Sequence, residues 1–233
     1  MDNKEIKSRI IYEDNHLIAV NKKCGWLVQG DSTGDIPLSE GLKIYLKEKY
    51  DKPGNVFVGT IHRLDRPVSG LVIFAKTSKA LSRMNELFKN NKVKKTYYAL
   101  SDALPEKSSG RLDNYLLKSE MHNVTKVVKS AEVKDAKRAI LDFKVVRKNA
   151  HFVLFRISPL TGRPHQIRVQ LSNIGCPILA DMKYGSKVLD DDTAIYLHSH
   201  TVEFLHPVTM TKMTLTAPLP ETGYWNLFDY RAD

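Results

Sequence analysis

The sequence predicts an α+β fold, a mixed, mostly antiparallel sheet with flanking helices. Three observations carry this expectation. Short apolar or alternating runs of strand character recur along the chain, at 17–20, 71–75, 92–100, 141–145 and 152–157. Helical periodicity is confined to a few segments. Several of the strand-like runs are also connected without a helix between them and helices are few, against the regular alternation that would signal a parallel sheet.

Each element has its own justification. Residues 17–20 form an apolar run that reads as a buried strand. Residues 39–50 read as a helix, with Leu42, Ile44, Tyr45 and Leu46 on its apolar side and Ser39 as N-cap. Ser69-Gly70 is a turn signal before the run Leu71-Val72-Ile73-Phe74-Ala75, a second buried strand. In the helix at 79–89, Leu81, Met84, Leu87 and Phe88 recur at helical spacing and Ser78 caps the start. A strand at 92–100 follows. Residues 102–136 are polar, with Pro105, Ser108, Ser109 and Gly110, and read as a loop. Leu141, Phe143 and Val145 alternate with Asp142 and Lys144, as in a half-covered strand. After the strand at 152–157, Pro164 opens a helix that Gly175 and Pro177 close. Asp190-Asp191-Asp192 reads as a solvated loop, since no ligand spacing accompanies it. No internal repeat, low-complexity segment or linker interrupts the chain, so residues 1–233 are expected to form a single domain.

Composition narrows the function classes. Hydrophobic residues make up 42% of the 233, enough for an ordinary packed core. The net charge of +10 favours a polyanionic partner, because lysine and arginine neutralise phosphates and release counterions. Cys24 and Cys176 are the only cysteines and show no zinc-ligand spacing. So few cysteines suit a reducing, cytoplasmic setting. The first residues lack an apolar signal core, and no apolar stretch approaches the ~18 residues needed to span a bilayer.

The segment His62-Arg63-Leu64-Asp65-Arg66-Pro67-Val68-Ser69-Gly70-Leu71 is the most informative in the chain. It places one carboxylate, Asp65, between two arginines in a loop that leads into a rigid strand, where catalytic groups are commonly displayed. Fixed positive charge favours the ionised form, and an ionised, held carboxylate can act as a nucleophile. A salt-bridged structural aspartate would carry the same local pattern.

This segment resembles the signature of the RluA-type pseudouridine synthases, in which His-Arg-Leu-Asp carries the catalytic aspartate. Other segments agree in family order. Residues 11–22 resemble the opening strand pair and Cys24-Gly25-Trp26-Leu27-Val28 the turn after it. Lys95-Thr96-Tyr97-Tyr98-Ala99-Leu100 matches the Lys-x-Tyr-x-Ala pattern. Thr161-Gly162-Arg163-Pro164-His165-Gln166-Ile167-Arg168-Val169 matches the third motif, continued by 174–178, Asp181 and Tyr184-Gly185. Leu197-His198 and residues 204–209 resemble the closing strands. Pro164, where the family usually has Thr, and Leu141, in an Ala-x-Thr position, depart from the pattern.

The resemblance implies the pseudouridine synthase fold with an active cleft across the sheet, and cofactor-free isomerisation of uridine in tRNA or rRNA. It implies that Asp65 is the catalytic aspartate, that Arg168 pairs with it, and that Tyr97 is the active-site tyrosine. Ile167 closes the other side of the uracil pocket. Arg63 enters the RNA near the base that must leave its stack. His62 and His165 are expected at the substrate, and Tyr98, on the opposite strand face, in the core. No metal ligand set is expected, and the enzyme is expected to act as a monomer without a protein partner. Whether the aspartate attacks the sugar, attacks the base or assists elimination stays open from sequence. Two other readings also stand: a catalytically idle RNA-binding or assembly factor on the same fold, and a hydrolase using Asp65. The hydrolase lacks a second activated carboxylate or a metal set.

Overall fold

The computed structural model describes residues 2–119, 121–188 and 194–228. The Asp190-Asp191-Asp192 triplet lies outside the described residues. The chain divides into two compact units: residues up to Lys94 with Ser199–Pro218, and Lys95–His198 with the residues from Leu219 onward. The fold is α+β, as the sequence predicts.

The first unit is built on β4 (Ser69–Ala75), whose seven residues are all buried. Its apolar run is continuous because both faces are covered. Along one edge β4 pairs antiparallel with β2 (Leu17–Lys22), in a register running from Leu17↔Ala75 to Lys22↔Gly70. β1 (Ile10–Glu13) and the two-residue β3 (Gly59–Thr60) add antiparallel to β2 and β4 respectively. β11 (Lys212–Thr216) pairs antiparallel with β10 (Leu197–Leu205), a strand that begins in the second unit and ends in the first. α3 (Ser78–Lys89) covers one face: Ala80 and Met84 join Leu17, Ala19, Leu71, Ile73, Ala75 and Phe204 in one cluster. Each such side chain contributes about 1.5–3 kcal/mol when fully buried. α2 (Leu38–Lys49) buries Leu38, Leu42, Tyr45 and Leu46 and packs against α1 (Asn3–Ser8).

The caps differ from the sequence expectation, by two positions in α2 and by one in α3. Pro37, not Ser39, precedes α2, and Ser39 is buried in its first turn. Thr77, not Ser78, caps α3, its hydroxyl accepting from the Ala80 N–H at 3.1 Å.

Gly70 meets a requirement that only glycine satisfies. Its φ is +109°, and a Cβ there would sit 2.6 Å from Ser199 N and closer still to the Ser199 carbonyl oxygen. Ser69-Gly70 therefore belongs to the strand, and the turn comes earlier, where the Val68 N–H donates to the Asp65 carbonyl at 3.0 Å.

The second unit is an antiparallel sheet in the order β5 (Lys94–Ser101), β9 (Val153–Pro159), β8 (Lys137–Lys148), β6 (Ser109–Ser119), β7 (Val124–Val128). The β6–β7 hairpin occupies residues that read as a loop from sequence. Only Leu116 of β6 is buried, so the strand carries almost no apolar alternation. Its exposed face is tied to β8 by bidentate Arg111–Asp142 and Arg138–Asp113 pairs instead. Exposed pairs contribute up to about 1 kcal/mol each and leave no hydrophobic signature.

α4 (Gln166–Asn173) packs on β6 and β7, with Val169 against Leu116, Ala139 and Tyr184. It starts later than Pro164 predicts, because His165 takes the left-handed conformation, φ 53°, and becomes the residue before the first turn. Among the described residues no helix is long and apolar enough to cross a membrane.

Candidate active site

In the first unit the site residues lie on the loop between β3 and β4. His62 is turned inward: its Nε2 accepts the Ile73 N–H at 3.1 Å, and its ring stacks on Phe88 at 5.1 Å. That anchors the loop to the buried strand. Arg63 points outward and is exposed, while Asp65 is half-buried. Arg66, expected to hold Asp65 ionised, pairs with Asp35 at 2.7 Å on the surface.

A buried positive charge near Asp65 is Lys22, at the end of β2. None of its surface is exposed. Its Nζ donates to the carbonyls of Lys23 (3.1 Å), Trp26 (2.9 Å) and Arg66 (3.1 Å). The Arg66 carbonyl also accepts the Gly25 N–H at 2.8 Å. One ammonium thus ties the turn after β2 to the residue following Asp65. Burial pushes the Lys22 amine down to about 7, and attraction to Cys24 and Asp65 works against that fall. Sequence reading passed over Lys22, although a lysine closing a run of buried strand residues was a usable signal.

In the second unit Tyr97 lies on β5, 9% exposed, directly opposite Ile157. Tyr98, opposite Arg156, takes the other face and is buried. Ile167 and Arg168 occupy the first turn of α4 and both are buried. Gln166 to Leu171 are all buried, so the start of this helix has no solvent face.

An arginine in that position needs an anionic partner, and Asp181 supplies it. Arg168 Nε donates to Asp181 Oδ2 at 2.7 Å and Nη2 to Oδ1 at 2.8 Å, a bidentate pair. The guanidinium lies over the Tyr184 ring at 5.0 Å. The Tyr184 hydroxyl is held in turn, accepting the Thr125 N–H at 2.9 Å and meeting His165 Nδ1 at 2.7 Å. Burial raises the Tyr184 phenol, against the pull of Thr125 and Arg168. His165 and Arg168, two of the expected site residues, therefore converge on Tyr184. Asp181 and Tyr184 were legible as part of a motif, but their partnership with Arg168 depends on the chain folding back by more than a helical turn. Among the described residues no group of three or more His, Cys, Asp or Glu is placed to hold a metal ion.

Comparison with known proteins identifies the family. Residues 16–173 match the family model described as RNA pseudouridylate synthase. The chain is 33% identical to ribosomal large subunit pseudouridine synthase C of Vibrio vulnificus, over 93% of this chain and 67% of that protein. It is 36% identical to the protein of the same name from Buchnera aphidicola, over 91% of this chain and 67% of the relative. The chain thus spans about two thirds of the length of these relatives. The solved structure of human RNA pseudouridylate synthase domain containing 4 has the same fold, with a TM-score of 0.79 at 24% identity, covering 94% of this chain and 91% of that one. Human RNA pseudouridylate synthase domain containing 1 follows with a TM-score of 0.73, 23% identity and coverage of 91% and 83%. With the motif-bearing loop, strand and helix all inside the matched region, the chain belongs to the RNA pseudouridylate synthase family and is a pseudouridine synthase, an isomerase acting on uridine in RNA.

Proposed function

We propose that the substrate is large-subunit ribosomal RNA and that Asp65 is the catalytic carboxylate, served by Tyr97 and Arg168, with both units acting as one catalytic domain. The name shared by the bacterial relatives supports the target. The observation that carries the residue assignment is the build of the Asp65 loop: it is pinned by His62 to a fully buried strand and by Lys22 from beneath, while its carboxylate stays partly exposed. A group held that firmly is pre-organised for reaction.

The isomerisation breaks the bond from uracil N1 to the sugar and makes one from C5 to the same sugar carbon. C5 loses a proton and N1 gains one, so atoms and electrons balance without a co-reactant. Asp65 supplies the negative charge at the nucleotide. Tyr97 offers a flat face to the uracil and a hydroxyl for proton transfer, and Ile167 bounds the base from the other side. Arg168, clamped by Asp181, orients the carboxylate. Arg63, exposed beside Asp65, fills the position that the flipped base leaves, and His62 and His165 support the site. Action as a monomer in the cytoplasm is part of this proposal.

The test is pseudouridine formed in large-subunit ribosomal RNA transcripts by the wild type and by Asp65→Asn. The amide is nearly isosteric but a poor nucleophile and base. Asp65→Asn should bind RNA like the wild type and form no pseudouridine; turnover by the pure variant would remove Asp65 from its role. An idle RNA-binding protein would instead show no turnover with either chain.

A further inference from the structure

Lys95 is a half-buried lysine whose charge has no partner among the described residues. By strand alternation it shares the β5 face of Tyr97. The buried or half-buried amines of Lys22 and Lys76 are met by carbonyls or by the Glu13 carboxylate. Burial alone acts on the Lys95 amine, pushing it below the usual lysine range with no neighbouring charge or hydrogen bond to offset the fall. Leaving an ammonium desolvated and unpaired is unfavourable, so its retention at such a place points to a ligand.

The amine borders an open, rigid notch. A side chain at Gly162 would find a single neighbour within 4 Å, Lys95 Nζ at 3.9 Å. The wall on the Gly162 side is fixed. Gln166 Oε1 accepts from the Thr161 hydroxyl at 2.7 Å and the Arg163 N–H at 3.0 Å, while its Nε2 donates to the Ile140 carbonyl at 3.0 Å. The Arg163 side chain is turned away, its Nε donating to the Arg138 carbonyl at 2.9 Å. Among the described residues Lys95 Nζ is thus the group that meets the space above Gly162, while the loop's own Arg163 is engaged elsewhere.

We propose that Lys95, in the notch over Gly162, binds a backbone phosphate of the RNA next to the target uridine. This rests on the reading of Tyr97 as the residue that faces the uracil. The neighbours of Tyr97 on its strand face are Lys95 and Ala99, and of the two only Lys95 can pair with a phosphate flanking a nucleotide whose base lies on Tyr97. Lys95 completes the site as an anion-binding residue and takes no part in the chemical step.

The experiment uses the full chain with Lys95→Met and Lys95→Arg, a fluorescein-labelled oligouridylate for binding, and large-subunit ribosomal RNA transcripts for turnover. Losing one phosphate contact on a single strand should flatten the slope of log affinity against log salt by about 0.7. Between about 50 and about 200 mM salt the wild type should then lose about 2.6-fold more affinity than Lys95→Met. KM should rise while kcat stays within about twofold, and Lys95→Arg should restore the wild-type slope. The melting temperature of Lys95→Met should equal or exceed that of the wild type, whereas a lysine kept for structure would lower it. Gly162→Asp, which places a carboxylate beside the intact amine, should flatten the slope in the same way. A wild-type slope in Lys95→Met, or a fall in kcat at unchanged KM, would overturn the proposal. Absence of pseudouridine with wild-type protein, together with a flattened slope in Lys95→Met, would instead sink the functional reading and leave the phosphate site standing.

Discussion

Replacing Asp181 by asparagine is the sharpest probe of how this site is held. The change keeps shape but removes charge. Arg168 donates Nε and Nη2 to the two carboxylate oxygens at 2.7 and 2.8 Å, with 6% and 1% of the two side chains exposed. In asparagine one of those oxygens becomes an NH2 group, so a donor faces a donor and the buried guanidinium loses the negative charge of Asp181. Breaking a buried pair by removing one partner costs about 3–5 kcal/mol. Against a total stability of about 5–15 kcal/mol that is a large share. For a chain of this length each kcal/mol moves the melting temperature by about 2–4 °C, so Asp181→Asn should melt roughly 6–20 °C lower. Pseudouridine formation below the melting range should also fall, since Arg168 is no longer fixed over Tyr184. Arg168→Met with Asp181→Asn should cost less than the two single changes added, because no charge remains buried alone. Calorimetry on the four proteins supplies every quantity. A melting temperature for Asp181→Asn within about 2 °C of the wild type would refute the buried-pair reasoning.

Gly70→Ala should destabilise by at least about 2 kcal/mol, since φ +109° is strained for alanine and its methyl meets the Ser199 backbone; an unchanged urea midpoint would contradict this. Acid stability should depend on Glu13. Burial alone would raise its pKa, but hydrogen bonds from Lys49, Lys76 and Tyr50 outweigh that and lower it from 4.5 to about 2. Its contribution, about 3 kcal/mol, is therefore fully present above pH 4.5 and lost as pH falls toward about 2. Glu13→Gln should flatten stability over that window in urea titrations at stepped pH, and an unchanged slope would count against the network. Cys24→Ser combined with Cys176→Ser should retain turnover after exhaustive EDTA treatment, because the isomerisation transfers no electrons and burial pushes the Cys176 thiol up to about 11. Activity that returns only with added metal or one restored thiol would reopen the hydrolase reading.

The sequence by itself determined the α+β class, the buried strand at Leu71 to Ala75, a strand at 92–100, and the family, through the loop around Asp65 and the segment from Thr161 to Val169. These are local facts: burial writes itself into consecutive residues, and a catalytic loop must present fixed side chains at fixed spacing. What only the tertiary structure decided is which charges meet. Asp65 has two arginines as sequence neighbours, yet Arg66 turns to Asp35 and the buried cation beside the loop is Lys22, more than forty positions away. Arg168 is buried, and Asp181, which accepts from its Nε and Nη2, reaches it only because the chain folds back. The β6–β7 hairpin was invisible for a related reason, being held on its open face by cross-strand ion pairs and not by an apolar alternation. Hydrophobic burial is cumulative along a segment and can be read there. Pairing of charges is a property of points brought together by distant parts of the chain, and it exists only once the chain has folded.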